Sequence, residues 1–346
     1  MGNILAQSGL ASVGLFDDNN ETTTALWRPH KDLGEVMISI GGENLIDLVD
    51  DGSSTGAPSY IAHPGGGPFN VAMAAALQGA PTTYISPIST DRFGDMLAER
   101  LASTGAALGA PRVFQPTSLA VISLIDGIPS YGFYRDGTAE RQVTSLSLDE
   151  AMPKNTNIFQ LGGLALVDGE DAAVWETFAS SCKDRGVLVS LDPNVRPSLI
   201  DDPVTYRSRI KRMMANTDIL KLSDEDMFWL YDSEDFDAAK AQCLADSGAA
   251  LTVITKGGDG ADAHCRDVSL SIEAASIEVM ADTVGAGDTF MASILVWLAT
   301  QHIITRDKLS SLSETELRVC LERAAKAAAI NCTRHGCKPP TAAELD

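Results

Sequence analysis

Val187-Leu188-Val189-Ser190-Leu191, running without a break into Asp192-Pro193-Asn194-Val195-Arg196, is a short apolar run closed by a turn. A strand that is apolar on both sides is buried on both faces, the habit of parallel sheets covered by helices. Ile219-Leu220-Lys221-Leu222 and Leu251-Thr252-Val253-Ile254-Thr255 repeat the pattern downstream, with helical stretches near 204–214 and 237–246 between the runs. Upstream, Asn157-Ile158-Phe159-Gln160-Leu161 is a strand and about 172–185 a helix. This alternation specifies an α/β fold with a mostly parallel central sheet covered by helices on both faces. Ligands of such sheets bind beyond the carboxyl ends of the strands. Asp192, Asn194 and Arg196 are therefore site candidates by position.

The N-terminal half follows the same logic. Val36-Met37-Ile38-Ser39-Ile40 is the first strand and ends at Gly41-Gly42. A small-residue helix over 71–77 closes at Gly79, Thr83-Tyr84-Ile85 is a strand, and 93–101 is a helix that ends before Gly105. Val121–Ile125 and Tyr131–Tyr134 form a hairpin turning at Asp126-Gly127. Gly52, Gly56 and Pro58 punctuate turns in 48–62. Residues 1–34, with the polar aperiodic tract Asp17–Thr24, are expected to be an N-terminal extension, and 35–346 a single domain.

Composition narrows the function. Hydrophobic residues make up 45% and charged residues 21%, as in soluble globular proteins. The 47 acidic against 26 basic residues leave a net charge of −21, which disfavours nucleic acid and anionic membranes as partners. That field also repels ATP, so a nucleotide site here needs local amides, a bound cation or both. The apolar run Phe290–Ala299 is too short to span a bilayer and is expected as a core helix. No basic segment followed by an apolar stretch and cleavage site opens the chain, and Ala6 stands where a myristoylation signal needs Ser or Thr. Cysteines 182, 243, 265, 320, 332 and 337 are expected as free thiols in a reducing cytoplasm. The spacing Cys332-Thr333-Arg334-His335-Gly336-Cys337 is not one that zinc uses.

Two segments carry chemistry. Asp282-Thr283-Val284-Gly285-Ala286-Gly287-Asp288 leads directly into the apolar helix Thr289–Leu298. The unpartnered amides at a helix start bind anions, and the small residues Gly285, Ala286 and Gly287 let a phosphate approach them. Asp288, in the first turn, can accept a proton from a hydroxyl attacking phosphorus. Equally, Asp288 can be a helix cap and the glycines a tight turn. The second segment, His63-Pro64-Gly65-Gly66-Gly67-Pro68-Phe69-Asn70, runs into the helix at 71–77. Its glycines admit a ligand, and Asn70 offers a donor and an acceptor to a polyol. A turn with an Asn near a helix start is the alternative.

Together and in this order, the two segments resemble the signature regions of the PfkB (ribokinase-like) carbohydrate kinase family. Gly42-Glu43-Asn44-Leu45-Ile46-Asp47, Phe133-Tyr134-Arg135, Asp192-Pro193-Asn194-Val195-Arg196, Lys221-Leu222-Ser223-Asp224-Glu225-Asp226 and Thr255-Lys256-Gly257-Gly258-Asp259-Gly260 are similar to further motifs of its fructokinase-like members. So is the tail from Arg334 through Pro339-Pro340-Thr341 to Glu344. The resemblance covers about 36–345. It implies a ribokinase-like fold with a small β-sheet lid built from about 48–62 and 112–135, which in several relatives pairs subunits into a homodimer.

The resemblance also implies roles. Asp288 would be the general base, with the amides of Gly285, Ala286, Gly287 and Asp288 holding the transferring phosphoryl charge. Asp47, Gly66, Gly67, Asn70, Arg135, Asp192 and Asn194 would bind the sugar. Ser223, Lys256, Gly258, Gly260 and Asn331 would lie near ATP. Asp282 would serve a monovalent cation, commonly K⁺, and Asp226 a Mg²⁺ reached through water. Position 226 is Asp where many members carry Glu. Fructose is the expected substrate. 2-Keto-3-deoxygluconate would give Arg135 an anion to bind, and ribose or nucleosides come next. Arg135 and Arg196 are otherwise solvated charges. No GxGxxG or GxxxxGK[ST] motif is present, which sets aside dinucleotide-binding and P-loop enzymes. A non-catalytic sugar or nucleotide sensor would be expected to have lost the base, and Asp288 is retained.

Overall fold

A computed structural model of the chain describes residues 36–50, 59–125, 128–277 and 279–346. The N-terminal extension, the turn residues Gly52, Gly56 and Pro58, and the Asp126-Gly127 turn lie outside the described residues.

From the N-terminus the described strands are β1 (Met37–Gly42), β2 (Leu45–Asp50), β3 (Tyr60–Gly65), β4 (Thr82–Tyr84), β5 (Ala107–Leu108), β6 (Ser118–Ile125), β7 (Ile128–Tyr134), β8 (Thr156–Gly162), β9 (Leu188–Asp192), β10 (Ile219–Ser223), β11 (Leu251–Thr255), β12 (Ala261–Cys265) and β13 (Val268–Ile272). The principal helices are α1 (Gly67–Leu77), α2 (Arg92–Ser103), α3 (Ser145–Ala151), α4 (Gly169–Asp184), α5 (Pro203–Ala215), α6 (Asp224–Tyr231), α7 (Phe236–Asp246), α8 (Ala286–Thr300), α9 (Arg306–Ser310) and α10 (Glu314–Cys332).

The large sheet has the order β13-β12-β11-β10-β9-β8-β1-β4-β5. Pairings from β5 across to β11 are parallel, and the β12–β13 hairpin closes one edge antiparallel. Side chains alternate between two cores, as a period of two requires. On β8, Ile158 faces the core built with α1, α8 and α10, whereas Phe159 and Leu161 face the one built with α4 and α5. Helices thus cover both faces. The chain leaves β1 toward β4 and β5, then returns to place β8 on the other side of β1, so the strand order reverses between β1 and β8. That reversal opens a crevice at the carboxyl ends, where Gly42, Gly162, Asp192 and Ser223 lie.

A separate four-stranded sheet, β3-β2-β6-β7, rises from this edge. The β6–β7 pair is antiparallel, with Ile125 opposite Ile128. The small sheet starts at Leu45 and ends its first hairpin at Gly65, so it is rooted closer to the crevice than segment 48–62 implies. Helix α1 likewise begins at Gly67, not near 71, because Pro68 sits comfortably in a first turn. Asn70 is therefore fixed on a helix.

Candidate active site

Helices α1 and α8 pack against each other, and their N-termini meet at the crevice. Asn70 donates from Nδ2 to Asp288 Oδ2 at 2.9 Å, joining the two sequence segments in one buried bond. A Cβ on Gly67 would lie 2.7 Å from Asn194 Nδ2 and 3.4 Å from both Asp288 Oδ1 and Glu43 Oε1. Three side chains thus converge on that one glycine. A side chain there would displace the Asn194 amide, and the second Asp288 oxygen faces the opening the glycine leaves.

Glycines 65, 66 and 67 do separate work. Gly65 makes room for the Asp47 carboxylate, and Gly66 has φ 112, a left-handed value that turns β3 into α1. Burial raises Asp47 to about 6, with Arg196 opposing it. Asp288 is also raised to about 6, chiefly by burial and further by Asp192, while Asn70, Lys221 and Arg196 restrain it. A carboxylate so placed is ionised near neutrality and basic enough to accept a proton.

Gly285 caps α8 with φ 75, and Cys337 packs against it where a side chain would otherwise stand. The helical ladder begins with Thr289 N–H donating to Gly285 O at 2.9 Å, so the N–H groups of Gly287 and Asp288 fall ahead of it. The N–H of Ala286 turns back to Thr283 O at 3.1 Å and is spent there. Asp282 braces the loop by accepting from Val284 N–H at 3.0 Å and Gly336 N–H at 2.9 Å. Although partial burial works against it, these amides hold Asp282 below the usual carboxylate range.

Several expected site residues are used otherwise. Arg135 is buried, and its Nε lies 3.1 Å from Glu140 Oε1. It is neither a solvated charge nor a guanidinium free to take an anion, because Glu140, five residues on, folds back onto it. Asn331 is fully buried. Its Nδ2 donates to Val284 O at 2.8 Å and its Oδ1 accepts from Lys338 N–H at 2.9 Å, so it ties two loops rather than facing a nucleotide. Asp226 forms a capping box with Ser223 on α6 and also accepts from Val195 N–H at 2.8 Å. Both its oxygens rest on amides, and burial followed by Asp192 raises it. The Ser223 hydroxyl is the cap of that helix. Lys256 donates to Asp262 at 2.7 Å, and Gly257 and Gly258 are the open points of its loop, with no atom within 4 Å of a Cβ built at either. Gly260 is a turn glycine held against β13.

Two residues enter that sequence reasoning did not assign. Glu43 is buried at the root of the small sheet and accepts from Gly67 N–H and Leu164 N–H, each at 2.9 Å. Burial raises it to about 7. It clamps the start of α1 to the end of β8, and its signal was an acid directly after Gly41-Gly42. Lys221, on β10, donates to Asp192 Oδ2 at 2.8 Å with both side chains buried. A lysine inside an apolar strand is the mark that could have found it.

A buried acid and two amides unpartnered among the described residues thus meet at a helix start, in a crevice beside the root of a second sheet, an arrangement suited to phosphoryl transfer in an α/β fold. The pattern that defines the pfkB family carbohydrate kinases matches residues 33–344, and the chain belongs to that family. It is 35% identical over 283 residues to a fructokinase of Rhizobium leguminosarum bv. trifolii, covering 82% of this chain and 86% of that one. Its fold is similar to that of a fructokinase with bound ATP from Xylella fastidiosa (TM-score 0.81, 25% identity, covering 90% of this chain and 97% of the other). An aminoimidazole riboside kinase from Salmonella enterica shares the fold alone, with TM-score 0.74 and 19% identity over 89% of this chain and 97% of that one.

Proposed function

We propose that this carbohydrate kinase phosphorylates fructose on a primary hydroxyl at the expense of ATP. The observation that carries the reading is the Asn70–Asp288 bond, which presents one carboxylate oxygen to the crevice beside Gly67 and Asn194. Asp288 takes the hydroxyl proton as the oxygen attacks phosphorus. The N–H groups of Gly287 and Asp288 face the charge that develops on the transferring group. Asn70, Asn194 and Asp47 hold sugar hydroxyls, and the small sheet acts as a lid that keeps water, the competing acceptor, out.

ATP fits between the α8 start and the open loop at Gly258. Mg²⁺ carried by the nucleotide phosphates would neutralise their charge, and Asp226, with both oxygens on amides, reaches such an ion only through water. Asp282, held ionised at the loop edge, suits a monovalent cation such as K⁺. All six cysteines are free thiols, in keeping with a reducing cytoplasm. Exposed Ile61, on the small-sheet face it shares with Val49 and Ile122, favours a homodimer through that sheet.

Fructose is favoured over 2-keto-3-deoxygluconate because Arg135, the cation that would attract a sugar acid, is paired with Glu140. ADP release should rank fructose at least tenfold above 2-keto-3-deoxygluconate, ribose and nucleosides in kcat/KM. A sugar acid or nucleoside at the head of that ranking would overturn the assignment.

A further inference from the structure

Lys221 is an expensive residue to bury. It lies on β10 between Leu220 and Leu222, which are fully buried, and is itself 5% exposed. Its one hydrogen bond among the described residues goes to Asp192 Oδ2, at 2.8 Å, so further N–H donors remain on Nζ. A Cβ built on Gly287 would stand 3.1 Å from Nζ, which puts the ammonium directly under the anion-hole glycine. The second oxygen of Asp192 is buried and has no hydrogen-bond partner among the described residues. A purely structural ion pair at this depth is replaceable by packed apolar side chains. This one instead faces the loop where phosphoryl charge develops.

Resting on the kinase reading above, we infer that Lys221 is a positioning residue of the phosphoryl-transfer centre. Clamped by Asp192, it fixes a positive charge behind Gly287 and keeps the Asp288 carboxylate in its ionised form. In a chain of net charge −21, a site that gathers Asp192, Asp226 and Asp288 and must also accept ATP needs such a buried cation. Asp288 faces Asp192 and Arg196 from the β9 end, Lys221 from β10, Asn70 from α1 and Cys337 from the C-terminal loop. Among these, Lys221 is the buried cation and Asp192 the like charge, so removing either one moves Asp288 in opposite directions.

The test is the pH profile of kcat/KM for the wild type, Lys221→Met, Lys221→Arg and Asp192→Asn. Lys221→Met should lower kcat about a hundred-fold, the scale for losing one fixed electrostatic element. It should also shift the acid limb up by roughly one pH unit. Lys221→Arg should recover part of the rate and return the limb toward the wild-type position. Asp192→Asn should shift the limb down, whatever it does to KM. A folded Lys221→Met enzyme with kcat within threefold of wild type, or with its limb unmoved, overturns the inference. If Lys221→Met does not fold, Asp192→Asn decides, and an unmoved limb there overturns it. Absence of sugar-dependent ADP release from the wild type would instead remove the kinase reading and leave the Asp192–Lys221 pair without this role.

Discussion

Asp288 keeps one oxygen on Asn70 and the other toward Gly67 and Asn194, and burial sets its pKa at about 6. The sign of the consequence is fixed, because a raised carboxylate is ionised only above that value and the base is lost as pH falls through it. The acid limb of kcat/KM is therefore expected near pH 6, where an unperturbed Asp would place it near 4. Asp47, also at about 6, should make the fall steeper than one proton requires. A profile flat down to pH 4.5 would contradict the assignment of Asp288. At this scale the sequence announced the groups that face the crevice, Asp288 and Asn70, because glycines and a helix start surround them. It did not announce groups whose partners come from elsewhere in the fold. Arg135 looks solvated until Glu140 turns back onto it, and Asn331 looks free until the loops at Val284 and Lys338 close on it.

Helix α8 is legible because its apolar run is long and its first turn is marked by glycine and acid. Its cap depends on a contact that the sequence cannot show. Gly285 has φ 75, and Cys337, from the chain's last segment, occupies the space a side chain would need. Gly285→Ala should therefore cost about 2–3 kcal/mol, combining left-handed strain with the clash, and should lower kcat by displacing the Gly287 and Asp288 amides. Chemical unfolding checks the first part. Cys337→Ala in the same chain should recover the portion of the clash due to Sγ and leave the portions due to the position-337 Cβ and to φ. No recovery would mean that the thiol does not set the cap. Helix α6 and the β12–β13 hairpin escaped sequence reading for different reasons. The Ser223–Asp226 capping box was present as a signal, but it also served as a motif of the resemblance. The hairpin is short, sits at the sheet edge and lacks a two-residue glycine turn.

At the scale of the molecule, strand alternation gave the parallel sheet, and the reversal between β1 and β8 set the crevice. The sequence did not show where the small sheet roots, because its register depends on β2 pairing in parallel with the distant β6. If the face of that sheet carrying Ile61 joins two copies, the protein should run in solution at about twice 36.6 kDa. A charged substitution at Ile61 should return it to the monomer, and light scattering decides. A wild type that stays monomeric at micromolar concentration would contradict the pairing.

If Asp288 is the base of a sugar phosphoryl transfer at the α8 start, sugar-dependent ADP formation in wild type and Asp288→Asn, with fructose binding measured on both, will separate the two enzymes. In Asp288→Asn, kcat should fall by roughly two to four orders of magnitude while fructose affinity stays within a few-fold. Near-normal turnover in Asp288→Asn would contradict that role.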